Sequence, residues 1–279
     1  MNRPQALRLA TGQLLPDLRI ITASEIAVHE DSDPVRVGRL VTRLREDGVL
    51  RNPPVAAPLP DGGYIVLDGA NRTSALTALG ISAIPLQVVD YGDHTVRLEV
   101  WRHFIVDAVD LLQRLSTAGL TLERVQERDA DRILSTQALA CYLVTDEGTV
   151  GIRPGPGPLG ATLARAVGVY RGAARIYRVQ GTDRDELVRE YGADGTLVVF
   201  PTFTKTDIVS IARAEVKLPT GITRHIISGR ALRLNLPLSA LAAPGEIVEK
   251  NRWLADLIRQ KLLDNRIRYY PEATFLFDE

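Results

Sequence analysis

The stretch YIVLDGANRTSAL, residues 64–76, packs an acid, a glycine, an amide and an arginine into the bend between an apolar run and a helical pattern. Asp68 ends the run and Gly69 lets the backbone turn tightly. The helix that follows presents unpaired amides at its N-terminus, and these, with the helix dipole, attract anions. Arg72 in the first turn can grip phosphate oxygens, and Asn71 can donate to them. Asp68 would repel the same phosphates unless a magnesium ion lay between. The plainer alternative makes Asp68 a helix cap and Arg72 its ion-pair partner.

A second acid, Glu30, sits in VHEDSDP beside His29, just before a helix start. A carboxylate there could act as general base on a hydroxyl if the fold brought it to the phosphate site; otherwise it is solvated loop surface. Thr223, Arg224 and His225 stand side by side in LPTGITRHIISGRALRLN, beyond a Pro/Gly turn. Arginine could clasp a carboxylate there, with threonine and histidine bonding an amine or hydroxyl. The bland reading of that stretch is a strand with alternating faces. Trp101, in EVWRHF, reads as core or as a half-exposed residue. Cys141, the single cysteine, lies in apolar ALACYLV and can build neither an intrachain disulfide nor a cysteine zinc site.

These residues need an α/β frame. DLRIIT reads as a strand, and DPVRVGRLVTRLREDG carries strong helix signals: Asp33 to cap, Pro34 for the first turn, Gly48 to stop. Val37, Leu40, Val41 and Leu44 form an apolar stripe at helical spacing. Arg36, Arg39 and Arg43 on the same helix form a basic face over the phosphates or a solvated one. Strands follow at PPVAAPL, YIVLD and AIPLQVVDY, with a helix over about 71–79 between the last two. Residues 96–150 read as largely helical. RPGPGPLG, 153–160, reads as a linker or loop. The remainder is mixed, with strand, loop and helix in TLVVFPTFTKTDIVSIARA and a helix plus extended tail at the end.

Composition bounds the function. The chain has 279 residues, 24% charged and 45% hydrophobic, an ordinary globular mixture. Zero formal net charge gives no global basic field to draw it onto DNA. No stretch reaches about eighteen apolar residues, and the start lacks a signal-peptide core, so a cytoplasmic protein without a membrane partner is expected.

The order of motifs adds a resemblance. The span from HEDSDP through LRNPP and LDGANR to GISAIPLQVVDY resembles the ParB/sulfiredoxin-like domain. With the HE pair, LPTGITRHII and RYYPEATFLFDE, the chain is similar to the free L-serine kinases of that superfamily, the siderophore-associated type included. The resemblance implies an α/β (α+β) fold. Its parts would be a ParB/sulfiredoxin-like nucleotide-binding domain over 1–95, a helical segment over 96–150, and a mixed α/β C-terminal domain over 151–279 that contributes to the substrate pocket. It implies a kinase that makes O-phospho-L-serine from free L-serine with ATP, or less favourably ADP, and Mg2+.

By the same resemblance Glu30 is the base, and Asp68 is the acid at the nucleotide and metal site. Gly69, Asn71 and Arg72 hold phosphates. Trp101, Thr223 and His225, with Arg224 beside them, shape the serine pocket. One departure is that many relatives read Asp-Gly-His-His-Arg where this chain has Ala70 and Asn71, which bears on the choice of nucleotide. The rival is a DNA-binding regulator or partition-like switch, which needs a helix-turn-helix within 105–150. Sulfiredoxin chemistry fails because LDGANR has no cysteine, and no histidine–carboxylate cluster supports a nuclease.

Overall fold

The computed structural model describes residues 8, 9 and 12–270. In chain order the first elements are β1 (Asp17–Thr22), β2 (Ile26–Val28), α1 (Pro34–Asp47), β3 (Val49–Leu50), β4 (Val55–Pro58), β5 (Tyr64–Asp68), α2 (Ala70–Ala78) and β6 (Ala83–Val88). Next come β7 (Val96–Val100), β8 (Arg102–Val106), α3 (Leu111–Thr117), β9 (Leu122–Val125), α4 (Glu127–Ser135), β10 (Cys141–Thr145) and β11 (Gly148–Ile152). They are followed by α5 (Leu159–Tyr170), β12 (Arg175–Val179), α6 (Arg184–Tyr191), β13 (Gly195–Val199), α7 (Lys205–Arg213) and β14 (Thr223–Ile227). Last are β15 (Leu236–Pro237), α8 (Leu238–Ala242) and α9 (Ile247–Leu263). The expected α/β class is what is observed.

Contacts divide the chain into two units. The first takes residues up to Ala27, Asp33–Val96 and everything from Ile227; the second takes Val28–Ser32 and Arg97–Ile226. The C-terminal third is therefore shared between the units, because residues from Ile227 onward pack with the first one. RPGPGPLG is the loop between β11 and α5 inside the second unit, so it does not separate domains.

The first unit is a mixed five-stranded sheet in the order β1-β6-β4-β5-β2. Its β6 runs antiparallel to β1 and parallel to β4, which is antiparallel to β5. Helix α1 begins and ends on its local signals. The Asp33 carboxylate accepts from the amides of Val35 and Arg36, at 3.0 and 3.1 Å. Gly48 closes the helix in the left-handed region at φ 65°. Its Val37, Leu40, Val41 and Leu44 stripe joins Ile20, Leu50, Ala75, Leu76, Ile84 and Leu86 in one core. Strand β1 lies at the sheet edge, and Asn251 of α9 satisfies part of that edge: its amide accepts from Ile20 N at 2.8 Å and donates to Ile20 O at 2.7 Å.

The second unit is a six-stranded antiparallel sheet, β12-β8-β13-β10-β11-β9. Phe104, Val106, Leu134, Leu139, Tyr142, Leu197 and Val199 are among its core residues. Cys141 is fully buried in β10, as a small hydrophobe.

Here the helical expectation for 96–150 is corrected: five strands, β7 to β11, run through that stretch, with only the short helices α3 and α4 among them. The text VRLEVWRHFIVDAVDLLQRLSTAG has no glycine or proline before its end to mark the turns. Asp107 and Asp110 make them instead, at φ 65° and 51°, in the left-handed region that aspartate tolerates better than most residues. Strand β9 stands between α3 and α4, so this pair does not form the helix-turn-helix a DNA-binding reading required.

Candidate active site

The residues singled out from the sequence fall into two sets, one in each unit. In the first unit, β5 delivers Asp68 and α2 opens at Ala70, with Gly69 between them at φ 101°. A Cβ at Gly69 would stand 2.9 Å from both Arg72 Nη2 and Pro54 Cβ, so the joint excludes any side chain twice over, by conformation and by space.

Arg72 Nη2 donates to Asp68 Oδ2 at 2.6 Å, while Nη1 donates to the carbonyls of Asn52 and Pro53 at 2.9 and 3.2 Å. The Arg230 guanidinium pairs with the same Oδ2. Burial pushes the Asp68 carboxyl up, but the two guanidinium charges outweigh it and hold it below the ordinary carboxylate value. Asn71 Oδ1 accepts from Asp33 N at 2.8 Å, tying the start of α2 to the start of α1 and leaving Nδ2 as the donor end.

The second set centres on Glu30. Its Oε1 accepts from Ile222 N at 3.2 Å and from Thr223 N and Oγ1, both at 2.6 Å; its Oε2 accepts from Gly221 N at 2.8 Å. The bridge from Glu30 to Leu218 lays the two segments side by side in parallel. Thr223 spends its one hydroxyl proton on Glu30, so at its 2.8 Å contact with His29 Nε2 the imidazole is the donor. His225 stands edge-on to His29 at 5.4 Å, and both are buried. Thr223 thus holds Glu30 in place. Arg224, expected to clasp a carboxylate, lies over the Trp101 ring at 4.4 Å and pairs with Glu99 at 3.5 Å. The Trp101 backbone N donates to Ile222 O at 2.8 Å, fixing that main chain beside the 221–223 turn.

A deeper support lies behind that turn. The buried His103 ring has Nε2 3.0 Å from Gly221 O and Nδ1 2.8 Å from the Tyr170 hydroxyl. A carbonyl only accepts, so Nε2 carries the proton and Tyr170 donates to Nδ1. One hydrogen-bonded path then runs from Tyr170 through His103 and the Gly221–Ile222 peptide to Glu30 Oε1. His103 was not picked out from WRHFIV, where it looks like one polar residue in a strand; only the long-range partner reveals it.

Burial, with smaller pushes from Arg178 and Arg171 against the Gly221 bond, holds the imidazole at about 4. Above the unfolded value near 6.5 it is neutral in both states. Between 6.5 and about 4 only the unfolded chain takes the proton, so stability falls as pH drops through that window, by about 3 kcal/mol in all. Urea midpoints for wild type and His103→Gln should converge as pH falls from 6.5 to 4; parallel profiles would contradict a buried neutral imidazole.

Among the described residues, no group of three His, Cys, Asp or Glu could hold a metal ion. Arg72 and Arg230 both meet the Asp68 carboxylate at Oδ2. A single carboxylate suits Mg2+ that arrives on nucleotide phosphates and keeps its waters, and does not suit an all-protein cage. No helix among the described residues is long and apolar enough to cross a membrane. Of the motifs behind the family resemblance, Pro271–Glu279 lie outside the described residues.

The mixed α/β frame carries an Asp-Gly-helix joint in one unit and a carboxylate anchored by backbone amides in the other. A solved free serine kinase in complex with AMP shares the fold, with a TM-score of 0.72 over 81% of this chain and 94% of that one at 18% identity. The ATP-dependent L-serine kinase SbnI of Staphylococcus aureus is 23% identical over 267 residues, 94% of this chain and 97% of its own. An ATP-dependent L-serine kinase of Staphylothermus marinus is 25% identical over 236 residues, 80% of this chain and 90% of its own. No protein-family model matches. The resemblance to free L-serine kinases read from the motifs is borne out.

Proposed function

We propose that this chain transfers the terminal phosphoryl group of ATP to the hydroxyl of free L-serine, in the cytoplasm, giving O-phospho-L-serine and ADP. Similarity along nearly the whole chain to ATP-dependent L-serine kinases carries this reading. The serine Oγ–P bond forms as the bond from phosphorus to the ADP oxygen breaks, and the hydroxyl proton passes to Glu30. Of the two Glu30 oxygens, Oε1 already takes three donors and Oε2 one, so Oε2 has the lone pair to spare for that proton.

The donor half falls to Asp68, Gly69, Asn71 and Arg72, where helix amides and a guanidinium meet phosphate charge. Asp68 would be the protein ligand of a Mg2+ ion arriving with the nucleotide, which would further neutralise that charge. The acceptor half falls to Glu30, with Trp101, Thr223, Arg224 and His225 as its surroundings. Serine is small and zwitterionic, and fixed polar groups suit it.

Phosphorus NMR of L-serine mixed with the protein, Mg2+ and either ATP or ADP tests the reading. O-phosphoserine is expected with ATP. Product with ADP alone would reassign the donor. Nucleotide turnover without O-phosphoserine in both mixtures would contradict the kinase.

A further inference from the structure

We propose that Arg230 is a second phosphate-binding arginine, presented to the nucleotide by the buried side chain of Gln87. The inference rests on the kinase reading of the Asp68 cradle and adds a residue to it.

Gln87 lies inside β6 and is 3% exposed. A buried amide demands partners, and this one finds them on both sides of Arg230: Oε1 accepts from Ala231 N at 2.8 Å and Nε2 donates to Gly229 O at 3.0 Å. The side chain acts as one rung of a ladder and fixes the backbone that carries Arg230. A second tie lies just beyond, where Arg233 N donates to Asn52 Oδ1 at 2.8 Å. Asn52 is also the residue whose carbonyl holds Arg72.

From this mount the Arg230 guanidinium reaches Asp68 Oδ2, which Arg72 already occupies. One carboxylate between two guanidinium groups leaves a surplus positive charge. A structural ion pair needs only one arginine; a second costs repulsion, and the Arg230 charge, after burial, is a further pull on Arg72 below its ordinary value. The two arginines are also held differently. Arg72 is pinned by backbone carbonyls as well as by Asp68, whereas among the described residues the hydrogen bond of Arg230 goes to Asp68 alone. Arg230 is therefore the one free to trade a carboxylate oxygen for phosphate oxygens, which a planar guanidinium binds in pairs. The ligand class is a nucleoside polyphosphate, read by its charge.

Calorimetric titration of the full chain with ATP and, separately, with adenosine tests this. Arg230→Ala should weaken ATP by about 10- to 100-fold, in line with charge-assisted hydrogen bonds, and leave adenosine unchanged. It should also flatten the salt dependence of ATP binding. Arg230→Lys should recover part of the affinity. Gln87→Met, which keeps the arginine and loses its mount, should fall between wild type and Arg230→Ala. Equal ATP affinity in wild type and Arg230→Ala would overturn the proposal while leaving the kinase reading intact. Parallel loss of ATP and adenosine would overturn it too, since the site would then be distorted. A wild-type protein that binds no ATP would remove the reading beneath it.

Discussion

Glu30→Gln is expected to lower kcat for O-phosphoserine formation by about 100- to 10,000-fold, the range over which a positioned general base acts. The substitution keeps the shape of the side chain and an oxygen to accept from the 221–223 turn, but it removes the carboxylate proposed to take the serine proton. Glu30 belongs to the unit that carries Trp101, Thr223 and His225, and Asp68 and Arg72 belong to the other. ATP affinity should therefore stay within about twofold of wild type, the scatter expected where no contact to the nucleotide is lost. Steady-state rates with saturating serine, set beside an ATP titration, give both numbers. A variant with near-normal kcat would remove Glu30 from the chemistry, and one that loses ATP binding would make its role structural.

Gly221→Ala should come second in size, and for a different reason. Gly221 sits at φ 90°, where an L side chain is strained, and a Cβ there would lie within 2.6 Å of the Arg178 Cζ atom. Strain of this kind costs on the order of 1–3 kcal/mol. The same residue gives its amide to Glu30 Oε2 and its carbonyl to His103. The Arg178 guanidinium can swing aside, but the strain at a positive φ stays and shifts the peptide that orients the carboxylate. An expected fall of about tenfold or more in kcat, with the ATP affinity unchanged, follows from the sensitivity of transfer to misplacement by a fraction of an ångström. The double variant with Glu30→Gln should be no slower than Glu30→Gln alone, because both changes act on one oxygen. Additive losses would show that Gly221 works through something other than Glu30.

How far the sequence disclosed this arrangement depended on the range of each signal. Helix α1 was legible to the residue, because Asp33, Pro34 and Gly48 act within a turn of their own positions. The Asp68–Arg72 joint was legible for the same reason: strand, glycine and helix start are consecutive. Residues 96–150 misled because aspartates in the left-handed region made turns that glycine or proline would have announced. Thr223 and Glu30 were each picked out, yet not their pairing, since a hydrogen bond across that much chain leaves no spacing to read. Arg230 was passed over inside SGRALRLN for the same reason. A glutamine within the apolar strand AIPLQVV was the one hint that something polar had to be met there, and it pointed to Gly229 and Ala231.

The most direct test of the central claim uses L-serine labelled with oxygen-18 at its hydroxyl, incubated with the protein, Mg2+ and unlabelled ATP, with the product weighed by mass spectrometry. Direct transfer predicts O-phosphoserine that keeps the heavy oxygen in its bridge, formed one for one with ADP. ATP consumed to ADP and free phosphate with no labelled O-phosphoserine would contradict the account.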